Sequence, residues 1–567
     1  MAAGARQAQP PSSEIKADGQ SHLPPKQPAG GFDPTPVPYI PPGWTVKITF
    51  HRAINLPISD LNTLSSDPFI EAQIYTALPT RHKEDPPLRM RTHTVRHSVD
   101  PEWNFEWILA NVPSSGFKLK ARVYDEDQAD HDDRLGNAHI NVGHLEQGWP
   151  GLQNHRYRIK KRMGSKRAYL LRIIAVCLNK ARHLDGYLFV SMELLGRTED
   201  PEGGARVYTI GHNWWTRHYS PLLGRITGSK DSETEAKSNG RRAAQRYNFQ
   251  ANQIQLRGPV PSELYHRYVE FKPFVKGMFT RKGIAGILLN KALHHQHARV
   301  YNFDRNTVYG MCDAPCKELT MQFLDLVHHD RGGRIFTYVL TLDALFRFTE
   351  TGKEFGIDML SKHTMHSDVS VYIAYSGEFL VRRLKHPHRR PPEEGGRNQT
   401  HPPDDIGGGP PDEDPPRDPE RYELIIDNDS GTYRPSGALL PQLRRFLEAN
   451  LPGLKIVALD CLKDAALMDK LKGEQRERKR REGRPIIYTQ RSSTGSISSS
   501  DEEALDALEA NGEPRERGVL AHLQKDMAAE GQAKLEHWKR LTPGQKVKAK
   551  EQGVQPPEAA QSTQSPR

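Results

Sequence analysis

Cysteine is scarce in this 567-residue chain, with only Cys177, Cys312, Cys316 and Cys461, scattered along its length. A disulfide framework is therefore not expected, and Cys312-x₃-Cys316 has no second pair to complete a zinc site. Long apolar runs are also missing. No stretch reaches the roughly eighteen apolar residues of a membrane-spanning helix, and the opening MAAGARQAQPPSSEIKADGQ has no apolar core of a secretory signal. The expected setting is a reducing cytoplasm, where the sequons at Asn398 and Asn428 have no meaning. Nucleophile-elbow, Walker and zincin motifs are absent, and the glycines of 406–411 follow no strand.

Hydrophobic residues make up 36% of the chain, beside 43 prolines and 45 glycines, and the mean hydropathy is −0.72. That balance fits a soluble protein of several domains with long linkers. The net charge is +10 and is unevenly spread. Residues 44–160 hold 14 Lys plus Arg against 15 Asp plus Glu, whereas 161–300 hold 24 against 10. A positive field there suits an anionic membrane, a phosphorylated small molecule or a nucleic acid, or is simply a solvated basic surface.

The densest chemistry lies in YDEDQADHDDRLG, residues 124–136, directly after the alternating strand FKLKARVY. Asp125, Asp127 and Asp133 repel one another unless a cation sits among them. Ca²⁺ takes about six to eight oxygens, so this loop supplies roughly half a cage. Some sixty residues upstream, a second acidic loop holds Asp60 and Asp67 between two strands. An antiparallel sandwich brings the two loops to one edge.

SDPF at 66–69, DPEWNFEW at 100–107 and the D-x-D-x₅-D-x-x-G spacing ending at Gly136 together resemble a C2 domain, the module of protein kinase C and synaptotagmin, over residues 44–160. The resemblance implies an all-β sandwich of eight strands whose loops bind Ca²⁺ and then a phospholipid headgroup. It places Asp60, Asp67, Asp125, Asp127 and Asp133 on the five ligand positions. Asp60 and Asp67 stand one residue further apart than is usual in the family, as an insertion would leave them. The alternative is a C2 domain whose loop aspartates are solvated and bind no metal.

Arg89, Arg91 and His93 alternate, so they share one strand face, at the place where several C2 domains contact phosphoinositides. Leu61 and Leu64 are apolar side chains that the first loop offers to the membrane interface. These residues are the expected lipid-binding set, with anionic phospholipids or phosphoinositides as partners.

The rest of the chain reads as a disordered segment 1–43, a basic connecting region 161–262, an α+β or α/β domain 263–472, and a charged, Ser-rich, partly helical tail 473–567. In 161–262, KRAYLLRIIAVCLNKARHL has helical and DGYLFVSMELLG strand periodicity. A Pro/Gly-rich insert at 387–419 interrupts the α/β domain. In that domain ELTMQFLDLVHH reads as a helix, and RYELIIDNDSGTYRPSGALLPQLRRFLEANLPGLKIVALD as strand, loop, helix, strand. Ser498, Ser499 and Ser500 precede acids in the tail and suit an acid-directed kinase.

This half resembles a segment of fungal and protist proteins through FTETGKEFGIDMLSKHTMH, YSGEF and ELIIDNDSGTYRPSG, a likeness that brings no activity with it. Its polar stretches hold His363, His366, Glu378, Asp427 and Asp429, which converge if the domain is an enzyme acting on a lipid or phosphorylated substrate. Without an RRM, KH, zinc-finger or helix-turn-helix pattern, nucleic-acid binding is not expected. The leading expectation is a cytoplasmic peripheral membrane protein that uses Ca²⁺ and anionic phospholipid, with a protein partner as the remaining alternative.

Overall fold

The computed structural model describes residues 35–36, 38–59, 65–82, 85–126, 132–160, 173–174, 177, 186–199, 206–219, 250–267, 301, 307–351, 372–384, 415–429 and 434–482. Outside them lie Asp60, Leu61, Leu64, Asp127, His363, His366, the N-terminal segment to residue 34, most of the insert, and the serines of the tail.

Two sheets build the N-terminal sandwich. One contains β1 (Trp44–Ile54), β4 (Glu102–Val112), β7 (Leu152–Ile159), β8 (Gly186–Arg197) and β9 (Tyr208–Gly211), in the order β7-β8-β1-β4-β9. The other contains β2 (Pro68–Thr76), β3 (Leu88–Arg91), β5 (Phe117–Asp125) and β6 (Asp133–Val142), in the order β3-β2-β5-β6. The period-2 pattern decides which side chains enter the core. Val46, Ile48 and Phe50 of β1, Phe105 and Trp107 of β4, and Leu119, Ala121 and Val123 of β5 meet between the sheets.

Two boundaries differ from the sequence reading. The strand in DGYLFVSMELLG is present as β8, but it lies inside the sandwich between β7 and β1 rather than in a connecting region. Residues 161–185 separate it from β7, and every motif that signals the sandwich precedes it, so sequence order hid its partner. The chain is also built into the core before Trp44: Ile40 is buried, and the Gly43 N–H donates to Asn111 Oδ1 at 2.6 Å. A Cβ on Gly43 would collide with the Val112 backbone, so glycine permits this approach.

From β9 the chain runs directly into β10 (Asn213–Tyr219), which belongs to a second, eight-stranded sheet. Its other members are β11 (Gln250–Gln255), β13 (Val308–Cys312), β14 (Phe336–Leu340), β15 (Leu345–Glu350), β17 (Tyr375–Arg383), β18 (Tyr422–Asp427) and β19 (Lys455–Leu459). The order is β13-β10-β11-β15-β14-β17-β18-β19, antiparallel except for the β18–β19 pair. The short β12 (His266–Arg267) and β16 (Tyr372–Ile373) pair separately.

Helices α1 (Lys317–Leu326) and α2 (Leu440–Asn450) pack on one face of this sheet through Phe323, Leu443 and Leu447, against Phe346, Phe348, Phe379 and Ile426. Helix α3 (Ala465–Glu482) lies on the opposite face, where Met468 and Leu471 meet Leu380, Ile425 and Leu459. The second half is thus a mostly β, mixed sheet with few helices. The strand-helix-strand reading of 422–460 corresponds to β18, α2 and β19.

No linker separates the two sheets' cores. Trp214 of β10 is buried in the sandwich, and Arg206 reaches Asp343 Oδ1 at 3.2 Å and the Pro86 carbonyl at 2.7 Å.

Candidate functional site

The acidic loops meet at one end of the four-stranded sheet. Pro68, the first residue of β2, is paired with Asp125, the last of β5, and Asp125 in turn faces Asp133 at the start of β6. Residues opposite one another in an antiparallel ladder stand about 4.5–5.5 Å apart between Cα atoms, so register alone gathers Asp67, Asp125 and Asp133. The Asp67 N–H donates to Asp125 Oδ1 at 2.5 Å, and Ser59 Oγ donates to Asp133 Oδ2 at 3.2 Å. Three of the five expected carboxylates are therefore brought together.

The signature motifs hold this tip in shape. Buried Ser66 accepts from the Ser59 N–H at 3.0 Å and donates to the Pro57 carbonyl at 2.8 Å. Its own carbonyl accepts from the Ser98 N–H at 2.8 Å, and Asp100 Oδ1 accepts from the Asn55 N–H at 2.6 Å. Gly136 packs against Ile159 where a Cβ has no room, which accounts for the glycine that closes the acidic motif.

Two arginines, neither visible as partners in the sequence, balance the acids. Arg96 places Nη1 3.1 Å from Asp67 Oδ2 and Nη2 2.5 Å from Glu126 Oε1. Arg91 reaches Glu126 Oε2 at 2.9 Å and stacks over the Phe69 ring, 3.6 Å from its centroid. Thr94 Oγ1 also donates to Glu126, and the His97 N–H donates to Asp67 Oδ1 at 2.8 Å. Burial lowers the Arg91 pKa, partly offset by Glu126. Burial also works against the charge of Arg96, but Glu126 and Asp67 outweigh it and leave its pKa raised.

The donor set at the tip is all oxygen, the type a hard cation prefers, and the tip already holds a cationic side chain against Asp67. No group of three metal-ligating side chains is closed among the described residues. Asp60 and Asp127 lie outside them.

The expected lipid-binding strip is dispersed. Arg89 is exposed on β3 opposite Gln73. Arg91 is turned into the Phe69–Glu126 contact, and its side chain keeps only 17% exposure. His93 lies beside Tyr309 of β13, with ring centroids 5.9 Å apart, and burial pushes its pKa below the ordinary value. The alternation in sequence is real, but the second sheet and the loop tip claim two of its three members.

In the second half, Glu378 and Asp427 face each other across β17 and β18, and Lys472 of α3 bridges them, with Nζ 2.7 Å from Glu378 Oε2 and 2.7 Å from Asp427 Oδ2. Asp427 Oδ1 accepts from the backbone N–H groups of Glu378 at 2.9 Å and Asp429 at 2.8 Å. Asp429 pairs with Arg434 at 3.1 Å. Three of the five polar residues expected to converge are thus neighbours. Lys472, which sequence reasoning passed over, completes them as an ion cluster that pins α3 to the sheet.

Burial pushes Asp427 up to about 6 against the pull of Lys472. A carboxyl raised in this way favours folding while protonated. Its contribution is complete below the ordinary 3.8 and is lost as pH rises through about 6. Infrared or NMR titration of the full chain should show a carboxyl midpoint near this value that Asp427→Asn removes; a spectrum without it would contradict the burial argument.

Residues 44–157 match the family model described as C2 domain. Among curated proteins, Protein C2-DOMAIN ABA-RELATED 1 of Arabidopsis thaliana is 31% identical over 144 residues, 24% of this chain and 77% of that protein. Protein C2-DOMAIN ABA-RELATED 6 of the same plant is 31% identical over 116 residues, 20% of this chain and 55% of that protein. Among solved structures, the C2A domain of plant Extended Synaptotagmin 1 is similar at 19% identity and a TM-score of 0.19, over 28% of this chain and 99% of that one. With the SDPF and DPEW motifs and the acidic tip within the matched residues, and a relative 31% identical covered over 77% of its length, the chain belongs to the C2-domain family.

Proposed function

We propose that the protein docks on anionic phospholipid surfaces through Ca²⁺ held at the loop tip of its sandwich, and so delivers the eight-stranded sheet to the membrane. The observation that carries this reading is the convergence of Asp67, Asp125 and Asp133 at one end of β2, β5 and β6. Asp60 and Asp127 complete the ligand set by their sequence positions. Bound Ca²⁺ would supply positive charge at the tip and bridge to lipid phosphate. The protein's own residues position the carboxylates: Ser66 and Asp100 fix the loops, and Arg91 holds Glu126 aside. Family membership supports the same reading, and no helix among the described residues is long and apolar enough to cross a membrane.

Vesicles of phosphatidylcholine and phosphatidylserine should sediment the full chain in Ca²⁺ and release it in chelator. Asp125→Asn keeps an oxygen to accept the Asp67 N–H but removes a charge, and should weaken Ca²⁺-dependent binding at least about tenfold. Equal binding of both forms in chelator would overturn the Ca²⁺ part of the proposal. The enzyme alternative has the raised pKa of Asp427 in its favour, since such groups cluster at catalytic sites. Hydrolysis of a lipid or phosphoester that disappears in Asp427→Asn, without loss of folding, would favour it instead.

A further inference from the structure

We infer that Arg96 is an exchangeable internal cation of the acidic tip: it occupies Asp67 when no metal is bound, yields Asp67 to Ca²⁺, and thereby sets the Ca²⁺ affinity. This inference rests on the Ca²⁺ reading above and assigns a role to a residue outside the ligand set.

Asp67 needs such a partner. It is only 3% exposed, and a carboxylate that deep carries a large desolvation penalty unless it is paired. Its Oδ1 is engaged by the His97 N–H, and the cation contact at Oδ2 comes from Arg96. Glu126, buried beside it, receives both arginines. The described tip therefore carries five carboxylates, Asp67, Asp125, Glu126, Asp132 and Asp133, with the guanidinium groups of Arg91 and Arg96 set among them.

The two arginines differ in freedom. Arg91 is fixed between the Phe69 ring and Glu126. Arg96 retains 30% exposure and bridges two separate carboxylates, so it can release Asp67 while keeping Glu126. A divalent ion on Asp67 would stand close to the guanidinium, and two cations on one buried carboxylate repel. Entry of the metal therefore includes displacement of Arg96 from Oδ2. Arg96 makes the empty tip stable and the loaded tip weaker than its carboxylates alone would allow.

Calorimetric titration of the full chain with CaCl₂, without lipid, tests this alongside thermal melting in chelator. Arg96→Gln should bind Ca²⁺ about tenfold more tightly than the wild type, melt at a lower temperature in chelator, and gain more from added Ca²⁺. Arg96→Lys, which keeps the charge but not the two-pronged bridge, should fall between them and serves as the readout if Arg96→Gln does not fold without metal. Wild-type protein that takes up Ca²⁺ while both variants bind no more tightly would overturn this inference and leave the proposed function standing. Wild-type protein that takes up no Ca²⁺ would overturn both.

Discussion

A fragment ending at Lys160 is expected to remain unfolded, although it contains every motif by which the sandwich is recognised. It lacks β8, which lies between β7 and β1 and pairs with β1 along almost its whole length. Leu188, Val190 and Met192 of β8 are all fully buried. Each such side chain contributes about 1.5–3 kcal/mol, so roughly 5–9 kcal/mol leaves with the strand, comparable to the about 5–15 kcal/mol that holds a whole domain together. The cut also exposes the inner edges of β1 and β7. Circular dichroism in the near ultraviolet and limited proteolysis should show a disordered 44–160 fragment, whereas 38–211, which restores β8 and β9, should melt cooperatively. A cooperative transition in the shorter fragment would mean that β8 is an accessory strand.

Replacing Lys472 by Met should be the most destabilising single exchange in the second half. It removes the ammonium group that Asp427 and Glu378 share, while leaving two carboxylates under α3. Breaking a buried ion pair from one side costs about 3–5 kcal/mol, whereas neutralising the whole set costs far less. The triple variant Lys472→Met, Asp427→Asn, Glu378→Gln should therefore recover much of the lost urea midpoint. The effect should centre on α3, whose sheet-facing apolar contacts in the described residues are few. Beyond Met468 and Leu471 it is held by Arg478 on Asp330 at 3.5 Å and Lys479 on Glu350 at 2.7 Å. A Cβ on Gly333 would strike the α3 backbone at Gln475, so the helix is seated closely as well as paired by charge. If the single and triple variants unfold at the same urea concentration, the cluster does not hold α3 by charge.

Local signals were legible wherever neighbouring residues decide the structure. The alternation of FKLKARVY became β5, ELTMQFLDLVHH became α1, and RYELIID and LKIVALD became β18 and β19. The acidic motif located the tip, because its spacing is local to one strand-loop-strand. Arg96 and Glu126 were not legible as partners because they lie 30 residues apart and only the pairing of β2 with both β3 and β5 brings their loops to one end. Lys472 and Glu378 are 94 residues apart, and no periodicity in a highly charged helix marks which lysine will turn inward.

By itself the sequence determined the family, the alternating faces that make a sandwich, and the carboxylates at its tip, since a strand's two-residue period and a loop's composition are properties of adjacent residues. Tertiary structure alone decided that β8 completes the sandwich, that Arg91 meets Glu126 and His93 meets Tyr309, and that Arg96 sits on Asp67. Burial and strand register set the electrostatics of each group, and both depend on segments that meet only when the chain is folded.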